Sequence, residues 1–246
     1  MPTVRLVLEY DGSCYAGWQR QPDQPTVQEA VETALHHLTQ ETVSVVGAGR
    51  TDSGVHALGQ VASFRIERQW TSRQWIRGLN ALLPDDIAVR AAATVSEGFH
   101  ARYAARGKLY EYRIVNRGER PALERAYLWH VHKPLEQAAM EQAAAHLVGS
   151  HDFSSFEGTL TDNEDPICDL RQLSVARQGD LVVVQAYADR FLKHMVRAIV
   201  GTLVEVGHGK RTADSLKAVL AARDRTAAGR TAPAHGLYLI RVDYES

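Results

Sequence analysis

With 246 residues, 45% of them hydrophobic, the chain has enough apolar surface for one large core or two smaller ones, and its composition is not that of a disordered chain. Its 28 Lys and Arg nearly cancel its 29 Asp and Glu, and the resulting net charge of −1 does not by itself indicate a nucleic-acid partner. No apolar run reaches membrane-span length, residues 1–5 do not open a secretory signal, and Cys14 and Cys168 fit no metal spacing, so the expected setting is cytoplasmic, without membrane, with both thiols reduced.

Residues 4–10 are rich in branched side chains and read as a strand ended by Asp11-Gly12. Thr26-Val-Gln-Glu29 reads as a capping box, in which hydroxyl and carboxylate each satisfy an orphan helix N–H. Val27, Ala30, Val31, Ala34, Leu35 and Leu38 then recur at helical spacing. Residues 43–46 lead into a glycine-bearing loop over 47–54. A strand over 60–66, a helix over 71–82 closed by Pro84, and a strand over 87–95 follow. A second cycle begins with a strand over 109–115. A helix opens at Pro134 and runs to about Val148, with Gly149 behind it. Residues 170–176 and 181–188 form a hairpin across Gln178-Gly-Asp180. A long helix over 191–206, a short one over 212–222 and a strand over 237–243 complete the chain. The expected fold is α+β: two similar α/β halves with mostly antiparallel mixed sheets flanked by helices. The first, residues 1–103, carries the glycine loop. The second is residues 104–246.

The sharpest feature is Gly47-Ala-Gly-Arg-Thr-Asp-Ser-Gly-Val-His56. Its glycines allow tight turns and close backbone approach, and between them lie a cation, a hydroxyl and a carboxylate. The plain alternative is that Asp52 and Ser53 only close a turn. A phosphate loop fails in detail: there is no Gly-Lys-Ser/Thr, and the third glycine of a dinucleotide fingerprint is missing. Arg50 lies two residues before Asp52, so in an extended segment both face the same way.

This segment resembles the catalytic motif of the tRNA pseudouridine synthase A family. The resemblance extends, in the family's order, through Tyr10-Asp-Gly-Ser-Cys-Tyr-Ala-Gly-Trp-Gln19, Thr26-Val-Gln28, Phe99-His-Ala-Arg102, Leu109-Tyr-Glu-Tyr112, His151-Asp-Phe-Ser-Ser-Phe156, Phe191-Leu-Lys-His-Met-Val-Arg197, Gly201-Thr-Leu203 and Ala232-Pro-Ala-His-Gly-Leu237. It implies a pseudouridine synthase-like fold and a homodimer that cradles the anticodon arm of tRNA and isomerises uridines at its positions 38 to 40. It assigns the nucleophile to Asp52 and its ionic partner to Arg197. Arg50 would hold the target nucleotide out of the stack, and Tyr110 would stack on the base and assist proton transfer. Phe99, His100, Ala101, Arg102, Tyr103 and Leu237 would contact substrate.

The chemistry agrees with these residue types. Moving the sugar bond from N1 to C5 involves no redox change, so no cofactor is expected, and a carboxylate can hold the intermediate covalently. That carboxylate must be ionised, which a permanently charged Arg favours. A base within a stem must be extruded to be reached. The near-zero net charge also hides uneven segments. Residues 100–130 hold seven Lys/Arg and three Glu, and 190–230 hold nine against three acids, while 134–170 hold eight acids and no Lys or Arg. Of the 28 basic residues 23 are Arg, which grips phosphate with two donors. Arg102 among aromatics suits RNA. His36-His37 and His130 with His132 lack the spacing of a metal site, so no metal is expected, and His56 and His235 are expected to support the active site. The acidic stretch 157–165 would repel phosphate and is left out of the binding surface. Ala188-Asp-Arg190 departs from the family's usual small residue and Asn. The rivals are a non-catalytic tRNA-binding or folding module, and a small-molecule enzyme with a phosphate loop.

Overall fold

A computed structural model describes residues 1–158 and 165–245. The chain forms two compact units: Met1–Arg106 together with the chain from Tyr238 on, and Gly107–Leu237. The class is α+β, as expected.

In the first unit, β1 (Thr3–Tyr10) lies between β3 (His56–Arg65) and β4 (Ile87–Val95), antiparallel to both. The short β2 (Val46–Gly47) pairs antiparallel with β3. The alternation in β1 buries Val4, Leu6, Leu8 and Tyr10 on one face. Against this sheet unit pack helices α1 (Val27–Thr39), which buries Val27, Val31, Ala34 and Leu35, and α2 (Ser72–Asn80), which buries Trp75 and Leu79. Each fully buried aliphatic or aromatic side chain is worth about 1.5–3 kcal/mol over exposure.

The second unit is an antiparallel run of β5 (Ala105–Asn116), β9 (Leu181–Ala188), β8 (Ile167–Gln178) and β7 (Gly149–Asp152), with β6 (Trp129–Val131) parallel to β5. The β8–β9 hairpin turns on Gly179, whose φ of +58° suits a residue without Cβ. Three helices accompany it: α3 (Gln137–Ala145), α4 (Met195–Gly207) and α5 (Ser215–Ala222).

Several expectations shift. The strand expected over 237–243 is β10 (Leu237–Tyr244). Expected in the second half, it pairs in parallel with β3 through Tyr238↔His56 and Leu239↔Ala57. Gly59 admits this approach, because a Cβ there would lie 2.3 Å from Ile240 O. The first helix has only half its capping box: Thr26 accepts from Glu29 N at 3.4 Å, while Glu29 pairs with Arg20 at 3.5 Å. Pro134 does not open α3. Leu135 N donates to Asn116 Oδ1 and Glu136 N to Gly207 O, which holds residues 134–136 outside the helix. The long helix starts at Met195 rather than at residue 191, after His194 in a left-handed conformation. Strands β6 and β7 carry no sequence signal. No helix among the described residues is long and apolar enough to cross a membrane.

Candidate active site

The Asp52 loop joins β2 to β3 and is held by the segment that follows β1. Asp52 forms an antiparallel bridge with Gly17. On either side, Trp18 N donates to Thr51 O at 3.1 Å and Gly54 N to Tyr15 O at 3.3 Å. Ser53 Oγ donates to the same Tyr15 carbonyl at 3.2 Å. Glycines permit this closeness. A Cβ on Gly47 would meet the Trp18 ring at 2.5 Å, and one on Gly12 would overlap Val55 O. Gly12 and Gly47 therefore serve backbone-to-backbone and backbone-to-ring packing rather than a phosphate cradle. Tyr15 fixes the other end of the clamp: its hydroxyl donates to Asp86 Oδ1 at 2.6 Å, and burial and then the Asp86 carboxylate push its pKa upward.

Arg50 is exposed, Thr51 is buried and Asp52 is partly exposed, so Arg50 and Asp52 lie on the outward side of Thr51. Inward, Thr51 Oγ1 shares a 2.8 Å hydrogen bond with the Tyr10 hydroxyl. Burial pushes the pKa of Tyr10 up to about 12, against the hydrogen bonds from Thr51 and Gln60. Outward, Arg50 Nε donates to Gln19 Oε1 at 3.2 Å, and Gln19 Nε2 donates to Gln28 Oε1 at 2.9 Å. Gln28 Nε2 in turn donates to Glu32 Oε1 and Val45 O. The carbonyl at the end of this chain can only accept, so every amide has one orientation and Gln19 turns its oxygen to Arg50. His56, buried at the start of β3, accepts from Gly12 N and stacks on Tyr238 at 4.8 Å.

The other site residues of the first unit form one short turn over 99–103. Ala101 is its buried anchor: its N donates to Ser63 Oγ and its O accepts from the Tyr244 hydroxyl. Phe99 packs on Tyr244 with ring centroids 5.1 Å apart. His100 Nδ1 accepts from Arg102 N and Tyr103 N, its ring stacks on Tyr103 at 4.3 Å, and the Arg102 guanidinium lies over Tyr103 at 5.7 Å. Tyr103 stays 76% exposed, so an imidazole, a guanidinium and a phenol line up as a surface stack.

In the second unit Tyr110 and Tyr112 share a face of β5, opposite Ala186 and Val184 of β9. They differ in surroundings. Tyr110 meets Phe191 edge-on at 5.1 Å. Tyr112 is fully buried and donates to Pro233 O at 2.7 Å. Burial pushes the Tyr112 pKa upward, against the charges of Arg197 and Arg230. Arg197, in the first turn of α4, is partly buried, as its apolar flanks predict. Its Nε donates to Ala232 O at 2.8 Å, and Ala232 N returns a bond to Arg197 O at 3.0 Å. The segment 232–237 thus ties Arg197 to Tyr112, and Gly236 sits against the Tyr112 ring, where a Cβ would come within 2.7 Å. Leu237 is buried at its end.

The sequence places Tyr10 and Gln28 in family-like stretches without a role, and Gln60 only in a strand. Their signal is a polar residue in an otherwise apolar element, such as Gln60 ahead of Val61, Ala62 and Phe64. The substitution at 188–190 is accommodated: Asp189 Oδ1 accepts from Asp169 N and Arg190 N, and Arg190 Nη1 donates to Asp165 Oδ2. Of the acidic stretch 157–165, residues 159–164 lie outside the described residues. Among the described residues no three His, Cys, Asp or Glu gather as a metal-binding group, and His130 Nε2 bonds to Arg117 O at 2.9 Å.

The family model described as tRNA pseudouridine synthase matches residues 6–104 and 143–245, and the chain belongs to that family. Curated relatives bearing the name tRNA pseudouridine synthase A include one from Rhodospirillum rubrum, 49% identical over 99% of this chain and 88% of the relative. Another, from Myxococcus xanthus, is 47% identical over 99% of this chain and 92% of the relative. A third, from Photobacterium profundum, is 44% identical over 98% and 92%.

Proposed function

We propose that this protein isomerises uridine to pseudouridine in the anticodon arm of tRNA, at positions 38 to 40, with Asp52 as the attacking carboxylate. The observation that carries the reading is the Asp52 loop itself: a carboxylate and a guanidinium on the outward side of a backbone pinned by Gly17, in a chain of this family. The reaction breaks the N1–C1′ bond, joins C1′ to C5, transfers a proton to N1 and releases the C5 proton. Covalent capture by Asp52 divides this into easier steps.

Arg50 holds the extruded nucleotide's place, Tyr110 stacks on the base and assists removal of the C5 proton, and Arg197 favours the ionised carboxylate. The surface stack of His100, Arg102 and Tyr103, with Phe99, Ala101 and Leu237, contacts the RNA. The resemblance to the family supports these roles, a homodimeric assembly and a cytoplasmic setting. No metal or cofactor enters this scheme.

The test is incubation of the purified protein with tRNA, followed by nucleoside analysis mapped to position and release of tritium from C5-labelled uridine. Asp52→Asn is expected to bind tRNA with near-normal affinity and to form no pseudouridine. Normal turnover by that variant overturns the assignment. Binding without turnover by the unaltered protein would support the rival, a tRNA-folding module.

A further inference from the structure

We propose that Tyr10 and Gln60 are positioning residues: together they grip alternate residues of the loop from below and set the conformation in which Arg50 and Asp52 face outward. This rests on the reading of Asp52 as nucleophile.

Gln60 is fully buried on β3, among apolar neighbours. A buried amide is costly unless its groups are bonded. Here all are used. Oε1 accepts from Val61 N at 3.2 Å, and Nε2 donates to Gly49 O at 2.9 Å and to the Tyr10 hydroxyl at 3.4 Å. Gly49 O can only accept and Val61 N can only donate, so the amide has a single orientation. Tyr10 passes the connection on to Thr51 Oγ1 at 2.8 Å. Residues 49 and 51 are thereby fastened to paired strands β1 and β3, and the residues between and after them, 50 and 52, turn away from the core. Neither Tyr10 nor Gln60 is on the outward side, so their effect on chemistry passes through backbone geometry. An apolar packing contact at either position would support the loop without fixing it, because only directional bonds to Gly49 O and Thr51 Oγ1 select one conformation.

The experiment compares Tyr10→Phe, Thr51→Val, Thr51→Ser and the pair Tyr10→Phe/Thr51→Val with a control, Thr39→Val. The control removes an equally buried hydroxyl, bonded to Leu35 O at the end of α1. Displacing a reacting group by an ångström costs about 100-fold in rate, so Tyr10→Phe and Thr51→Val are each expected to lower kcat by about 10–100-fold with KM for tRNA within about twofold. The double variant should fall no further than the worse single one, since both cut the same link. Thr51→Ser keeps the hydroxyl and should keep kcat. Thr39→Val should lower Tm and leave kcat alone. Wild-type kcat in Tyr10→Phe, or a kcat loss in Thr39→Val matching its own, overturns the proposal. If Tyr10→Phe does not fold, the contrast between Thr51→Val and Thr51→Ser decides, and equal kcat in those two overturns it. An active Asp52→Asn would bring down the nucleophile reading and this inference with it. An inactive Asp52→Asn beside a normal Tyr10→Phe would remove only this inference.

Discussion

Gly17 has a φ of +105°, and a Cβ on it would lie 2.5 Å from Thr51 O and 3.0 Å from the Asp52 carbonyl carbon. Both the backbone conformation and the contact exclude an L side chain there. Gly17→Ala is expected to cost about 1–3 kcal/mol of stability, read as a lower Tm, and to reduce kcat as well because the clash falls on the backbone of Thr51 and Asp52, the proposed nucleophile. Wild-type kcat in that variant would show that the Gly17–Asp52 bridge does not govern activity. Asp52 and Arg50 were legible as outward neighbours because their spacing alone implies a shared side. The residues that fasten them were not. Gln60 and Tyr10 act across sequence separations that no local pattern reveals, and a glutamine in a strand reads as a surface residue until its partners are known.

At the scale of elements, helix starts depend on bonds the sequence only partly discloses. Thr71 and Gln74 form a complete capping box at α2: Thr71 N donates to Gln74 Oε1 at 2.9 Å and Gln74 N to Thr71 Oγ1 at 3.3 Å. Thr71→Ala should cost about 1 kcal/mol by thermal unfolding and leave kcat unchanged, since α2 carries none of the site residues. A change in kcat would tie α2 to the reaction. The box read at Thr26 is half made because Arg20 competes for Glu29. Pro134 suits a helix start by its fixed φ, but tertiary bonds to Leu135 N and Glu136 N keep that stretch extended. The apolar spacing that extended the long helix back to residue 191 reflects core packing instead: Phe191 lies against Tyr110, and the helix begins only after His194. Long amphipathic segments were legible, and short strands such as β6 and β7 were not, because three or four residues cannot display a period.

For the whole molecule, a net charge of −1 coexists with strongly basic segments, and binding to RNA answers to the local field. If phosphates carry the affinity, tRNA binding should weaken by roughly 100-fold or more between about 50 and 200 mM salt. A flat response measured by filter binding would count against RNA as the substrate. The repetition of an α/β cycle was legible along the chain, since strands and helices alternate twice in similar order. The destination of the last strand was not: nothing in residues 237–243 says that they pair in parallel with β3.

That destination bears on how the protein is made. The half that carries Asp52 is discontinuous: residues 1–106 must wait for β10, which is translated only after the whole intervening unit. A nascent chain halted before Tyr238 would present the β3 edge around His56 and Ala57 without its parallel partner, and bare edges recruit other chains. Residues 1–106 produced alone should therefore aggregate, and fusing residues 237–245 to them through a flexible linker should restore solubility in light-scattering assays. The strand that completes the unit carrying Asp52 thus leaves the ribosome only after all of Gly107–Leu237, so that unit cannot close its β3 edge while the intervening residues are still being made.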